Sequence, residues 1–234
     1  MALLELTDVT AGYGTTPILR DVTLSVDRGE IVGVMGKNGV GKTTLIKTVM
    51  GLVEPSGGSV ELDGVDVTDR PANERARLGV GYIPQGREVF PKLTVEQNIK
   101  MGEHVNDGGD RLLYDEVYDY FPILEERASQ KAGTLSGGQQ QMLAIARALV
   151  ANPDLLLLDE PSEGIQPSIV QQISEDMQTI SDELGVTILF VEQNLGVIQE
   201  MADRCYAIER GTIVDELDSA TLQDEDAIVE YLAV

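Results

Sequence analysis

The sequence is poor in positive charge: 17 Lys and Arg stand against 40 Asp and Glu, a formal net charge of −23 over 234 residues. Counterion release needs Lys and Arg facing phosphates, so this balance argues against a nucleic-acid partner. The acidic excess is scattered along the chain rather than gathered into a tail. Such a surface suits solubility in a salt-rich cytoplasm, where like-charge repulsion is screened, and a halophilic source is the expectation. There is one cysteine, Cys205. No internal disulfide can form, a reducing compartment is the natural setting, and a lone cysteine reads as a small buried hydrophobe. There is also one histidine, His104. No apolar run approaches the roughly 20 residues that span a bilayer, and MALLELTDV lacks the basic flank and long apolar stretch of a signal peptide. Any work at a membrane therefore leaves the spanning to other chains.

Apolar and polar residues alternate from 3 to 28 between turn signals at Gly12, Gly14 and Thr15 to Pro17, which predicts a small antiparallel sheet. Glu30 to Met35 then forms a short buried strand, followed by a glycine-rich turn and a helix from Lys42 to Met50. Further strands are expected at Ser59 to Leu62, Val80 to Ile83, Leu155 to Leu158 and Thr187 to Val191, separated by helical patterns such as Pro167 to Leu184. That alternation predicts a parallel α/β core. Residues 86 to 150 interrupt it with helical sequence, one helix starting at Thr94, one over Leu112 to Tyr120 and one over Gly137 to Val150. One domain is expected: an α/β core with its antiparallel part from 1–85 and 151–216, an inserted helical subdomain from 86–150, and a helical tail from 217–234. Short strands at Cys205 to Glu209 and Thr212 to Asp215 precede that tail.

The tetrapeptide VEQN occurs twice. At Val95 to Asn98 it follows Thr94, which stands three residues before Gln97 in the spacing of a capping box, so this copy starts a helix. At Val191 to Asn194 it ends a buried strand. In open parallel sheets that edge is where ligands bind.

Gly36-Lys37-Asn38-Gly39-Val40-Gly41-Lys42-Thr43 fits G-x-x-x-x-G-K-[ST] directly after a strand and before a helix, the context a phosphate loop requires. Asn38, Gly39, Gly41, Lys42, Thr43 and Thr44 are the expected nucleotide-binding residues. Lys42 would reach the β- and γ-phosphates and the Thr43 hydroxyl would ligate magnesium. Leu155 to Leu158 delivers two carboxylates at its end: Asp159 fits the metal role, and Glu160 fits the base that orients water. Ser136 in LSGGQQQ reads as an N-cap followed by two helix-opening glycines.

LSGGQQQ, lying between the phosphate loop and LLLLDEP, resembles the signature of ABC-type ATPases, and the likeness runs through nearly the whole chain. It implies a P-loop NTPase core, with ATP and Mg2+ as cofactors. Tyr13 in AGYG would stack on adenine. Gln85 in YIPQGREVF would join the magnesium shell and sense the γ-phosphate. ATP would be sandwiched between two subunits, so that Ser136, Gly137 and Gly138 contact ATP held by a partner chain. Two positions depart from the family pattern: Gln193 stands where a histidine usually contacts the γ-phosphate, and Gln166 where the interface loop usually has an aspartate. His104, in the insert, cannot substitute and is expected at the surface.

Both departures resemble one branch, the cytoplasmic ATP-binding subunits of importers for branched-chain amino acids and for urea or short amides. GREVFPKLTVEQN and SEGIQPSIV resemble the urea type more closely. The resemblance implies a peripheral location on the inner face of the cell membrane and ATP hydrolysis coupled to transport. The implied partners are permease subunits, a second ABC ATPase subunit (a histidine-bearing paralogue, or a second copy of this chain) and, indirectly, an extracytoplasmic solute-binding protein. Gly86 to Pro91 would lie at the permease groove, where charge reversal of Arg87 or truncation of Phe90 would uncouple transport and leave ATP binding intact. Two alternatives stand beside this reading. One is a soluble ABC protein acting as a nucleotide-gated clamp, and the other a degenerate subunit that binds ATP with little turnover.

Overall fold

The alternation near the N-terminus produces a hairpin of β1 (Ala2–Tyr13) and β2 (Thr16–Asp27), whose inward residues pair as Leu4 with Val26, Leu6 with Leu24 and Val9 with Val22. The computed structural model describes residues 2–105 and 111–224. β3 (Ile31–Met35) is buried at every position and belongs to a different sheet.

β4 (Pro55–Leu62) corrects an expectation. The sequence reading put Ser59 to Leu62 in the parallel core, but the strand pairs antiparallel with β1, Leu4 opposite Leu62 and Leu6 opposite Val60. The physical signal was its alternation. Val60 and Leu62 are buried while Ser59 and Glu61 are partly open, the pattern of a strand with one solvated face, whereas parallel strands are buried on both. With β5 (Val65–Asp66) the antiparallel sheet has the order β2-β1-β4-β5.

The second sheet has the order β10-β9-β3-β8-β7-β6. Its members are β3, β6 (Val80–Ile83), β7 (Leu155–Asp159), β8 (Thr187–Glu192), β9 (Arg204–Glu209) and β10 (Thr212–Leu217). All are parallel except β10, which turns back on β9. Successive residues of β7 and β8 point to opposite faces, as the strand period demands. Leu156, Leu158, Ile188 and Phe190 join one core; Leu155, Leu157, Leu189 and Val191 join the other.

The second of these cores also takes Leu45, Ile46 and Val49 from α1 (Lys42–Val49) and the inner face of the antiparallel sheet. Across the junction lies α2 (Ala72–Arg77), whose Arg75 is fully buried. Its Nη1 donates to the Thr48 and Val49 carbonyls at 2.9 and 2.8 Å, Nε to Arg70 O at 2.9 Å, and Nη2 to Thr68 O at 2.9 Å. A guanidinium thus satisfies carbonyls at the C-terminal end of α1 that the helix itself leaves unpaired.

The helices of 86–150 pack on the other face: α3 (Val95–Met101), α4 (Tyr114–Tyr120), α5 (Pro122–Glu126) and α6 (Gly137–Leu149). Ile99, Leu124, Leu143 and Ile145 share one hydrophobic cluster with the sheet. The capping box at α3 is present, Gln97 N donating to Thr94 Oγ1 at 3.2 Å and Thr94 N to Gln97 Oε1 at 2.9 Å. Asn98, the last residue of the first VEQN, is buried and pins the loop before it: Oδ1 accepts from Phe90 N at 2.8 Å and Nδ2 donates to Phe90 O at 3.1 Å.

α7 (Pro167–Leu184) and α8 (Leu195–Met201) complete the layer, and the single turn α9 (Ser219–Leu222) begins the expected tail, of which residues 225–234 lie outside the described residues. Cys205 is fully buried, which pushes its thiol pKa up to about 12 and leaves it the inert hydrophobe expected. His104 is exposed. Among the described residues no helix is long and apolar enough to cross a membrane.

Candidate active site at the strand ends

The strand order places the C-terminal ends of β3, β8 and β7 side by side. The turn from β3 into α1 depends on glycine. Gly39 and Gly41 have φ of 82° and 114°, a left-handed backbone that costs other residues energy, and a Cβ on Gly36 would stand 2.7 Å from Ile208 O. The turn leaves the first amides of α1 open, as an anion site requires.

Lys42 is only 4% exposed. Its ammonium donates to Gly36 O at 2.7 Å and Lys37 O at 3.0 Å and pairs with Glu160 Oε1 at 3.2 Å. These contacts hold the charge over the mouth of the loop. The Thr43 hydroxyl donates to Asp159 Oδ1 at 3.0 Å, so two of the three expected metal ligands already touch.

Asp159 Oδ2 is buried without a hydrogen-bond partner. Burial lifts the Asp159 carboxyl above the usual carboxylate range; the Thr43 hydrogen bond opposes the shift and the Glu160 charge adds to it. An orphaned buried carboxylate oxygen beside a hydroxyl is a donor set suited to Mg2+, which takes few protein oxygens and fills its remaining positions with phosphate and water.

Glu160 has a left-handed backbone, φ 49°, an unusual conformation for a glutamate. Its N–H donates to Val191 O at 3.0 Å, and Gln85 Nε2 donates to Glu160 Oε2 at 3.4 Å. Lys42, Thr43, Gln85, Asp159 and Glu160, drawn from three segments, therefore meet at one edge. Gln193 follows the end of β8 and is exposed. Tyr13 lies at the hairpin tip and is 54% exposed. Gln166 is exposed at the N-cap of α7.

Ser136 caps α6 through a reciprocal pair: Gln139 N donates to Ser136 Oγ at 3.3 Å and Ser136 N to Gln139 Oε1 at 3.1 Å. Gly137 and Gly138 pack against Gly164 and Ile169, where a Cβ on Gly138 would come within 2.5 Å of Ile169 Cγ2. This motif thus borders the segment that follows Glu160.

Arg87 departs from expectation. It does not line the groove: its Nη2 donates to Glu163 O at 2.5 Å, and the guanidinium lies beside Gly137 and Gly164. The reason lies in the backbone, since Arg87 and Glu88 have φ of 71° and 44° and turn the side chain inward. Arg147 of α6 braces that turn, donating to Glu88 O at 2.9 Å and Arg87 O at 3.3 Å and lying 5.2 Å from the centre of the Phe90 ring. Phe90, 44% exposed, does line a groove of about 810 Å³, with Leu78, Tyr82, Met101 and Arg147.

A parallel sheet that ends in a phosphate loop, a buried lysine, a hydrogen-bonded Thr–Asp pair and a buried glutamate paired with that lysine defines a P-loop nucleoside triphosphatase. The chain belongs to the ABC transporter family, whose model matches residues 19–163. It is 45% identical, over 91% of each chain, to the high-affinity branched-chain amino acid transport ATP-binding protein BraG of Pseudomonas aeruginosa. It is 39% identical, over 90% of each, to the probable branched-chain amino acid transport ATP-binding protein LivF of Archaeoglobus fulgidus. Among solved structures it resembles the dimeric post-hydrolysis state of the ATP-binding cassette MJ0796 bound to ADP and Pi, with a TM-score of 0.82 at 27% identity, covering 92% of this chain and 98% of that one. The chain is an ABC ATPase, the ATP-binding and ATP-hydrolysing subunit of an importer.

Proposed function

We propose that this chain powers uptake of branched-chain amino acids, seated on permease subunits at the inner face of the cell membrane. The complete hydrolytic set around Lys42 and Glu160 carries the reading, and the likeness to BraG and LivF supports the solute class. The loop amides and Lys42 bind the phosphates, Tyr13 stacks on adenine, and Glu160 with Gln85 orients the attacking water. Magnesium held by Thr43, Asp159 and Gln85 would neutralise charge that develops on the phosphates. Ser136, Gly137 and Gly138 complete the site of a partner chain. ATP then joins two subunits and hydrolysis releases them. The decisive experiment reconstitutes the chain with its permeases and binding protein in vesicles and follows labelled leucine and urea. Leucine uptake that stops with Lys42→Ala supports the proposal; uptake of urea alone would favour the second reading, which rests on GREVFPKLTVEQN and SEGIQPSIV. The acidic surface supports a salt-rich source.

Gln193 bears on the partner. Glutamine can donate to a γ-phosphate oxygen but carries no charge, and charge-assisted hydrogen bonds are about twice as strong as neutral ones. The working assembly pairs this chain with a related ATPase that keeps the histidine. The purified homodimer should hydrolyse ATP slowly, and Gln193→His should speed it about 10-fold, a gain of about 1.4 kcal/mol in the transition state. Gln97→His should change nothing. A brisk wild-type homodimer unaffected by Gln193→His would sink the asymmetric pair.

The groove beside Phe90 is the docking site for a cytoplasmic permease segment. Phe90→Ala should lower transport-coupled ATPase activity at least about 10-fold, by removing an aromatic anchor worth about 2 kcal/mol, while ATP affinity stays as in the wild type. Equal loss of nucleotide binding would mean that Phe90 supports the fold instead.

A further inference from the structure

Glu192 closes β8 with 1% exposure, and the hydrolytic scheme above does not use it. Its Oε1 accepts from Ser162 N at 3.1 Å and from the Ser162 hydroxyl; its Oε2 accepts from Gln193 N at 2.7 Å and Asn194 N at 3.0 Å. One carboxylate takes four hydrogen bonds, two on each oxygen. The donors come from two separate places, the segment that begins at Glu160 and the loop that carries Gln193. A carboxylate offers an acceptor oxygen to each side, whereas an amide has one acceptor oxygen and presents N–H groups on the other.

We propose that Glu192 is a positioning residue for ATP hydrolysis, locking the segment led by Glu160 to the loop that carries Gln193. The proposal rests on the assignment of Gln193 to the γ-phosphate. A neutral glutamine is not drawn into place by charge, and its side chain is exposed, so its reach depends on where its backbone is held. Glu160 has the same need, because its left-handed backbone must be kept by its neighbours. Through Glu192 the two groups keep one spacing, as attack on a single phosphorus requires.

Glu192→Gln preserves shape but sets an amide NH2 against the donors of one loop, which frees that loop. The test uses the full-length chain in excess over labelled ATP with Mg2+, so that slow single turnovers are read directly, beside ATP affinity and the thermal midpoint. Glu192→Gln should hydrolyse about 10- to 100-fold more slowly with ATP affinity within about twofold of the wild type. Ser162→Ala, which removes only the hydroxyl donor, should show a smaller loss of the same kind and serves if Glu192→Gln does not fold. Gln193→Ala should slow the wild type yet add nothing in the Glu192→Gln background, the non-additivity of residues that act as a unit. Multiplying losses, or a rate that falls only in step with ATP affinity and melting, would overturn the proposal. Gln193→Ala without effect in the wild type would strike the γ-phosphate assignment itself, and the two-loop lock with it.

Discussion

Glu160→Gln should lower ATP hydrolysis by about 10²- to 10⁴-fold, the usual worth of a positioned general base, while ATP still binds. Lys42 would lose its ion pair at 3.2 Å but keep the Gly36 and Lys37 carbonyls, so the phosphate loop retains its lysine. A neutral amide also removes negative charge facing the γ-phosphate and relieves Asp159, whose carboxyl is lifted in part by that charge. Binding should therefore hold or tighten while the chemical step stalls, and an ATP-bound dimer should accumulate. Size exclusion with ATP and Mg2+, alone and with the partner ATPase, reads this directly. No dimer under either condition would contradict the sandwich arrangement.

Arg75→Leu should destabilise the protein by about 3–5 kcal/mol, the cost of removing one partner from a buried charged hydrogen-bond network. The leucine leaves the Val49, Thr68 and Arg70 carbonyls without their donor and the Thr48 carbonyl with only the Gly51 N–H at 3.1 Å, and each unsatisfied buried acceptor costs about 1–3 kcal/mol. Arg75→Lys should recover only part, since an ammonium lacks the planar fork that reaches four oxygens. Equilibrium unfolding in urea gives the difference. A loss below about 1 kcal/mol would show that water reaches those carbonyls.

The parts of this molecule that the sequence disclosed are those governed by period and by fixed spacing. Continuous apolar runs gave β3, β7 and β8. The glycine pattern placed the phosphate loop, and the same capping spacing announced the starts of α3 and α6. β4 was misplaced because four residues were weighed for hydrophobicity without their alternation. Arg75 and Asn98, which the sequence did not single out, are polar side chains buried against main-chain groups, and Glu192, expected at the strand edge, has partners of the same kind. Nothing in the neighbouring letters tells a buried arginine from a solvated one. Arg87 was misdirected for a related reason, since its inward turn is set by a left-handed backbone at two non-glycine residues. The two copies of VEQN illustrate the point: the first contributes its asparagine to the groove, the second its glutamate to the hydrolytic edge.

The place of β3 between β8 and β9 bears on how the protein is made. The phosphate loop emerges early from the ribosome, but the strands that flank its own strand are encoded far downstream. At synthesis rates of about 5–20 residues per second the loop waits on the order of 10–30 s for both neighbours. During that interval a nascent chain carries the phosphate loop without Asp159, Glu160 or the strands that flank the loop's own strand. The complete hydrolytic set therefore exists only in the nearly finished polypeptide.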